Sequence, residues 1–182
     1  EKAKEMGFRT HVFAWKADDV GETAADYFYP ISITCIDEIT ERCREIGICG
    51  ICSIATDLGN YTVNYVANKL GLTCNSMEST LNSTNKYLMR KAFYENEDPS
   101  PRYRVLNHES DIENLDMSYP VIVKPTDRSG SRGVLMVEAE AKLGEAVRRA
   151  LHESFEGKAV IEEYVKGKEY SVEGISYKGN HS

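Results

Sequence analysis

The chain has 182 residues, 41% of them hydrophobic and 28% charged, with a formal net charge of −7 at pH 7. That length suffices to bury a real core, and the acidic balance argues against a nucleic-acid partner, which would need a clustered basic face. The sequence shows neither an apolar run of ~18 residues nor a signal-peptide pattern, so no membrane partner is expected and a cytoplasmic location is.

In chain order, Glu1 to Met6 followed by Gly7 reads as the end of a helix. Residues 10–14 form a short β-type run, and residues 27–31 a weaker one broken by Pro30. Thr34, with Asp37 three residues on, opens a helix whose apolar residues Ile36, Ile39, Cys43 and Ile46 share one face, and Gly47 closes it. Residues 48–55 are nearly continuously apolar and predict a buried strand. Asn60 to Leu70 predicts the next helix, with Val63, Val66, Ala67 and Leu70 inward and Gly71 after it. Helices alternating with apolar strands predict βαβ units on a parallel sheet, whose first strand is expected to be missing. Both ends look cut, so a fragment of a longer polypeptide is expected.

Cys35, Cys43, Cys49, Cys52 and Cys74 are expected to be free thiols in a reducing compartment. Cys49 and Cys52 form a CxxC without a second ligand pair, and their apolar setting predicts small core residues of the strand.

A third helix is expected over residues 83–95, with Leu88, Met89, Ala92 and Phe93 on its buried side. Pro99 and Pro101 make residues 95–101 a linker. Short strands then follow at 105–106, 121–124, 134–137 and 160–165, interrupted by a helix over 141–155 with Leu143, Val147, Ala150 and Leu151 inward. This second pattern predicts an antiparallel sheet with a helix on one face, an α+β unit.

Chemistry concentrates after Val121-Ile122-Val123, where the strand ends in Lys124-Pro125 and the loop Thr126-Asp127-Arg128-Ser129-Gly130-Ser131-Arg132-Gly133 follows. Gly130 and Gly133 permit positive φ, so that backbone N–H groups can approach an anion. Lys124, at the end of an apolar strand, suits a phosphate. The alternative is a glycine-rich hairpin with a snorkelling lysine. A Walker A loop is excluded because GK[ST] is absent and a strand, not a helix, follows. A dinucleotide-binding oxidoreductase is disfavoured because no GxGxxG is visible.

Thr84-Asn85-Lys86, then Leu88-Met89-Arg90, Phe93, Pro99 and Pro101, resembles the (D/N)K…R…F…P.P signature of the ATP-grasp superfamily. The stretch from Val160 to Ser171, reading Val-Ile-Glu-Glu-Tyr-Val-Lys-Gly-Lys-Glu-Tyr-Ser, resembles a second segment of that superfamily. With the lysine-ended strand and glycine loop between them, these motifs stand in the family's order over essentially the whole chain. The resemblance is to the branch of carbamoyl phosphate synthetase large chains, biotin carboxylase and phosphoribosylamine–glycine ligase.

That resemblance implies an α/β fold, with a Rossmann-like pre-ATP-grasp domain over residues 1–80, a connecting helix and linker over 81–104, the α+β small lobe over 105–165, and the start of the large lobe over 166–182. It implies that Lys86 and Lys124 contact nucleotide phosphates, that Ser129, Gly130, Ser131 and Gly133 belong to a flap over them, and that Glu162 meets the adenine amino group. The backbone of Glu163 and Val165 would pair with the adenine edge and Glu169 with the ribose hydroxyls; Ile122, Ile161 and Val165 would pack the purine faces. By residue type alone, a solvated strand end is the favoured reading of Glu162, Glu163 and Glu169. The implied activity is an ATP-dependent carboxylate–amine (or other nucleophile) ligase working through an acyl phosphate; the alternative is a nucleotide-sensing module without ligase chemistry. ATP and Mg²⁺ are the implied cofactors, with the metal ligands expected beyond residue 182. Glu173 is too early in the pattern to be one. The implied partners are ATP, a small-molecule carboxylate and an amine, with a homodimer left open. Residues 1–182 alone are expected to bind nucleotide weakly without turnover. Arg128 and Arg132 are equally suited to a substrate anion or to water, and Asp57 to a ligand crevice or to a helix cap.

Overall fold

The computed structural model describes residues 1–54, 56–113, 115–172 and 174–182. In the front half, helix α1 (Lys2–Glu5) leads into strand β1 (His11–Phe13), a short helix α2 (Val20–Ala24) and strand β2 (Tyr27–Tyr29). Strands β1 and β2 are parallel, with His11 opposite Tyr27 and Phe13 opposite Tyr29. Asp19 caps α2 by accepting from the N–H groups of Gly21 and Glu22.

Two longer helices cover the strand pair. In α3 (Ile36–Ile46), Ile39 and Cys43 point inward, and Gly47 ends the helix in the left-handed conformation at φ +68. In α4 (Asp57–Leu70), Val66 and Ala67 are buried. Ile39, Cys43 and Val66 form a small core, joined by Phe13, Ile31, Ile48, Ile51 and Leu70.

Three local expectations need correction. The described residues of the apolar run 48–55 form no strand, and Cys49, Cys52 and Ile54 are exposed; Ala55 lies outside the described residues. A strand needs a neighbour to take its backbone hydrogen bonds, and among the described residues this run has none, so only Ile48 and Ile51 serve the core. Helix α4 begins at Asp57 rather than Asn60, because Thr56 is the cap, its hydroxyl accepting from Gly59 N–H. The single helix expected over 83–95 is two: α5 (Met77–Thr84), capped by Ser76, and α6 (Lys86–Glu95). The break falls at Asn85, whose side chain accepts from the N–H groups of Tyr87 and Leu88 and so restarts the helix in a new direction. The cysteines are free, as their odd number suggested.

The rear half is an antiparallel sheet. Strands β3 (Tyr103–Leu106), β4 (Val121–Pro125), β5 (Leu135–Val137) and β6 (Ala159–Glu163) lie in the order β3-β6-β4-β5, and helix α7 (Leu143–Glu153) packs on one face. The core between them holds Leu106, Val121, Val123, Val137, Val147, Ala150, Ala159 and Ile161, all at 2% exposure or less. These are alternate residues of β4 and β6 set against one stripe of the helix, so the period-two and period-3.6 patterns meet face to face. A final hairpin pairs β7 (Ser176–Tyr177) with β8 (Asn180–His181). Among the described residues no helix is long and apolar enough to cross a membrane.

Leu106 is 1% exposed and closes the β3 side of this core. Leu106→Ala is expected to lower the unfolding free energy by about 2–5 kcal/mol, read from the urea midpoint at unchanged slope.

Candidate functional site

Strand register decides which side chains share the open face of the sheet. Ile122 of β4 lies opposite Glu162 of β6 and Met136 of β5, while Lys124 lies opposite Val160. Val121 and Val123 fill the α7 core, so Ile122, Lys124 and Glu162 project from the other face. Helix α6 reaches this face from the front half, where the Tyr87 and Tyr103 rings meet at 6.3 Å.

Here a buried carboxylate gathers cations. Glu162 is 4% exposed. Its Oε1 accepts from Arg90 Nε at 2.9 Å and its Oε2 from Arg90 Nη2 at 3.2 Å and Lys124 Nζ at 2.7 Å. Burial pushes the Glu162 carboxyl up, but hydrogen bonds and charge from Arg90 and Lys124 outweigh it and hold the group below the ordinary 4.5. Lys86, one helical turn before Arg90, donates its ammonium to the Arg128 carbonyl and its backbone N–H to Thr126 O at 2.7 Å. Burial lowers the pKa of Lys86 and repulsion from Lys124 lowers it further, with Asp57, Asp127 and Glu162 opposing. Cations that disfavour one another in a partly closed space form a place for an anion.

The glycine loop joins β4 to β5 beside these lysines and is fastened at both ends. Asp127 accepts from the N–H groups of Phe155 at 3.1 Å and Glu156 at 2.7 Å, beyond the end of α7. Arg128 lies over the Phe155 ring at 4.4 Å and reaches Glu153 at 3.5 Å, while its Nε is buried without a hydrogen-bond partner. The Arg128 guanidinium is thus taken up mainly by Phe155 and Glu153. Gly133 is buried at φ +70, and a Cβ there would stand 2.9 Å from Pro125 Cγ. Between these anchors Ser129, Gly130, Ser131 and Arg132 are exposed, and Gly130 at φ +64 has nothing near its missing Cβ.

The structure thus brings Lys86, Lys124, Glu162 and the loop together. It does not bring the remaining expected residues to the cluster. Glu163 projects from the opposite face and pairs with Arg102 at 2.6 Å, and its N–H donates to Arg102 O at 3.0 Å. Val165 is 68% exposed, and Glu169 is exposed in the irregular segment after β6. Ile161, expected against a purine, faces the α7 core at 1% exposure and cannot serve there. Asp57 is the first residue of α4, not its cap, and its charge is felt at Lys86. Glu173 lies outside the described residues. The role of Arg90 was not read from the sequence; its signal was the spacing of four from Lys86, which puts both on one helical face. An open recess lined by Tyr94, Ser100, Pro101, Arg102 and Tyr103 adjoins the outer edge of β3. Lys86 and Lys124 lie outside it, so charge rather than concavity marks the site.

Residues 117–181 match the family model of the ATP-grasp domain. This segment is similar to the ATP-grasp domain. A D-alanine–D-alanine ligase of Anaeromyxobacter sp. (strain Fw109-5) is 39% identical over 64 residues, which are 35% of this chain and 20% of that protein. The carbamoyl phosphate synthase large chain of Saccharolobus islandicus is 28% identical over 149 residues, 76% of this chain and 14% of that one. The crystal structure of an L-amino acid ligase from Bacillus licheniformis superposes with a TM-score of 0.82 at 23% identity, over 99% of this chain and 44% of that chain. The chain spans about a fifth of the length of the D-alanine–D-alanine ligases it matches. Its fold neighbours are ligases and carboxylases whose helix and strand content is mixed, as it is here.

Two predictions come from the geometry of this segment. Gly133→Ala meets both left-handed strain and the Pro125 ring and should cost about 2–4 kcal/mol, against about 1 kcal/mol for Gly130→Ala, which meets only the strain; thermal melts of both variants check this. The second concerns pH. Because the folded-state pKa of Glu162 is depressed, its contribution to stability is fully present above the ordinary value and is lost as pH falls through the folded value. The stability gap between wild type and Glu162→Gln should therefore narrow on acidification below about pH 4.5, as urea titrations at successive pH values would record.

Proposed function

We propose that the chain is the ATP-binding part of an ATP-dependent ligase that joins a carboxylate to an amine, or to another nucleophile, through an acyl phosphate. The observation that carries this reading is the convergence of Arg90 and Lys124 on one buried carboxylate, with Lys86 held beside the glycine loop on the Arg128 carbonyl. That charge excess suits a polyphosphate better than a neutral ligand. On this reading residues 1–80 are a Rossmann-like pre-ATP-grasp unit, 81–104 a connector, 105–165 the small lobe and 166–182 the start of the large one. A cytoplasmic setting fits the free cysteines.

In the reaction, a carboxylate oxygen attacks the γ-phosphorus of ATP and ADP leaves. The nucleophile then attacks the acyl carbon of the acyl phosphate and expels inorganic phosphate. Residues of this chain contribute positioning and charge compensation rather than covalent chemistry. Lys124 and Lys86 would hold phosphate oxygens, and the loop residues Ser129, Gly130, Ser131 and Gly133 would lie over them. Ile122 would offer an apolar surface to the purine, Glu162 would meet its amino group, and the backbone of Glu163 and Val165 its edge. Glu169 would accept from the ribose hydroxyls once the segment after β6 turns toward the nucleotide. Mg²⁺ is a different matter. Among the described residues no group of three or more His, Cys, Asp or Glu side chains could hold a metal ion, so these residues do not fit it. Relatives named as ligases of D-alanine and of L-amino acids make amino acids the first carboxylates and amines to test.

The deciding experiment is thermal stabilisation by Mg-ATP, with NAD and no ligand as controls, in wild type and Lys124→Ala. Binding at one hundred times the dissociation constant stabilises by about 2.7 kcal/mol, a rise of several degrees. Lys124→Ala should remove most of that rise, and stabilisation by NAD alone would overturn the reading.

A further inference from the structure

Glu162 is shared unequally. Arg90 meets both of its oxygens with a planar fork, whereas Lys124 makes one contact. The side chains are 20%, 16% and 5% exposed for Arg90, Lys124 and Glu162, so little water can replace a lost partner. The proposed ligase function asks Lys124 to turn its ammonium toward phosphates. That movement takes a counter-ion from a buried carboxylate, which is strongly unfavourable if the carboxylate is left alone. It is tolerable if a bidentate guanidinium stays behind.

Arg90 is placed to stay. Its Nη1 donates to Ser100 Oγ at 3.4 Å, and its guanidinium lies over the Phe93 ring at 5.9 Å. These contacts hold it on the α6 side of the cluster. Lys86 does not substitute for it, because that ammonium is engaged by the Arg128 carbonyl.

We propose that Arg90 is a positioning residue of the phosphate site, the permanent counter-ion of Glu162 that leaves Lys124 free to exchange the carboxylate for an anion. The proposal rests on the ligase reading only for the nature of that anion. Lys124 has two stations, Glu162 and the phosphate, and Arg90 sets the balance between them. Without Arg90, Lys124 would be the sole partner of Glu162 and would stay there. The anion would then have to break a buried ion pair outright.

Inorganic tripolyphosphate tests this, since it carries the charge without adenine or ribose. Its affinity for the full-length protein is measured by calorimetry in wild type, Arg90→Met, Glu162→Gln and the double variant. Arg90→Met should weaken binding by about tenfold or more, which corresponds to about 1.4 kcal/mol. The decisive quantity is the gain from Glu162→Gln, expected to be about tenfold larger in the Arg90→Met background than in wild type, because only there is Lys124 trapped. Equal gains in the two backgrounds would mean that Arg90 acts as one more positive charge, and would overturn the inference. So would undiminished binding by Arg90→Met, or a double variant as weak as Arg90→Met, the mark of a merely structural role. Those results would leave the ligase reading standing. Failure of the wild-type protein to bind tripolyphosphate would instead overturn the phosphate reading, and this role of Arg90 with it.

Discussion

Glu162 sits in the middle of the four-stranded sheet, on the face away from α7, and a carboxylate so placed is tolerated only while cations accompany it. Arg90 comes from α6 and Lys124 from the neighbouring strand β4. The ion cluster therefore sets where the front half meets the sheet, and α6 cannot slide along β6 without uncovering the charge. The fit of Tyr87 against Tyr103 and the bond from Lys86 N–H to Thr126 O follow from the same placement. What fixes the architecture also creates the chemistry, because the residues that neutralise Glu162 are those that leave positive charge beside the loop.

The two faces of the sheet divide the work. Toward α7 lies a dry core of Val121, Val123, Ile161 and their partners, where burial of apolar surface provides the stability. Away from α7 lie Lys124 and Glu162, and the Glu162 carboxylate is kept ionised by Lys124 and Arg90. Alternation along a strand lets consecutive residues belong to these two environments: Val123 is fully buried among hydrocarbon while Lys124 is paired across the sheet. A polar seam at the end of α7, built from Thr126, Asp127, Ser154 and Lys158, ties the loop to the helix without crossing the core.

Much of this was legible beforehand, where local pattern and tertiary environment agree. The rear sheet and α7 follow from alternating apolar residues and a clean helical stripe. Lys124 and the glycine loop announced themselves as a charged strand end followed by flexible backbone. Other features depend on partners that a pattern does not contain. The run at 48–55 has strand composition but no adjacent strand to bond, so its cysteines face solvent instead of a core. Asn85 sits inside a stretch that reads as one helix, and its capping role emerges only once the chain changes direction there. Arg90 was part of a recognisable signature, yet its pairing with a glutamate 72 positions away is a property of the folded arrangement. Arg128 similarly spends its guanidinium on Phe155 and Glu153, a contact made from the hairpin loop to the end of α7.

The double fastening of the glycine loop also sets a mechanical limit. Arg128 at one end is tied through its carbonyl to Lys86, and Gly133 at the other is wedged against Pro125. Only the chain between them is free to swing, and at ~3.5 Å per residue, out and back, its tip can travel no further than about 9 Å from its anchors. That stroke spans a phosphate chain but not a whole nucleotide. On the proposed reading the loop is a short latch over one end of the nucleotide, and the opposite end would be enclosed by a different part of the polypeptide.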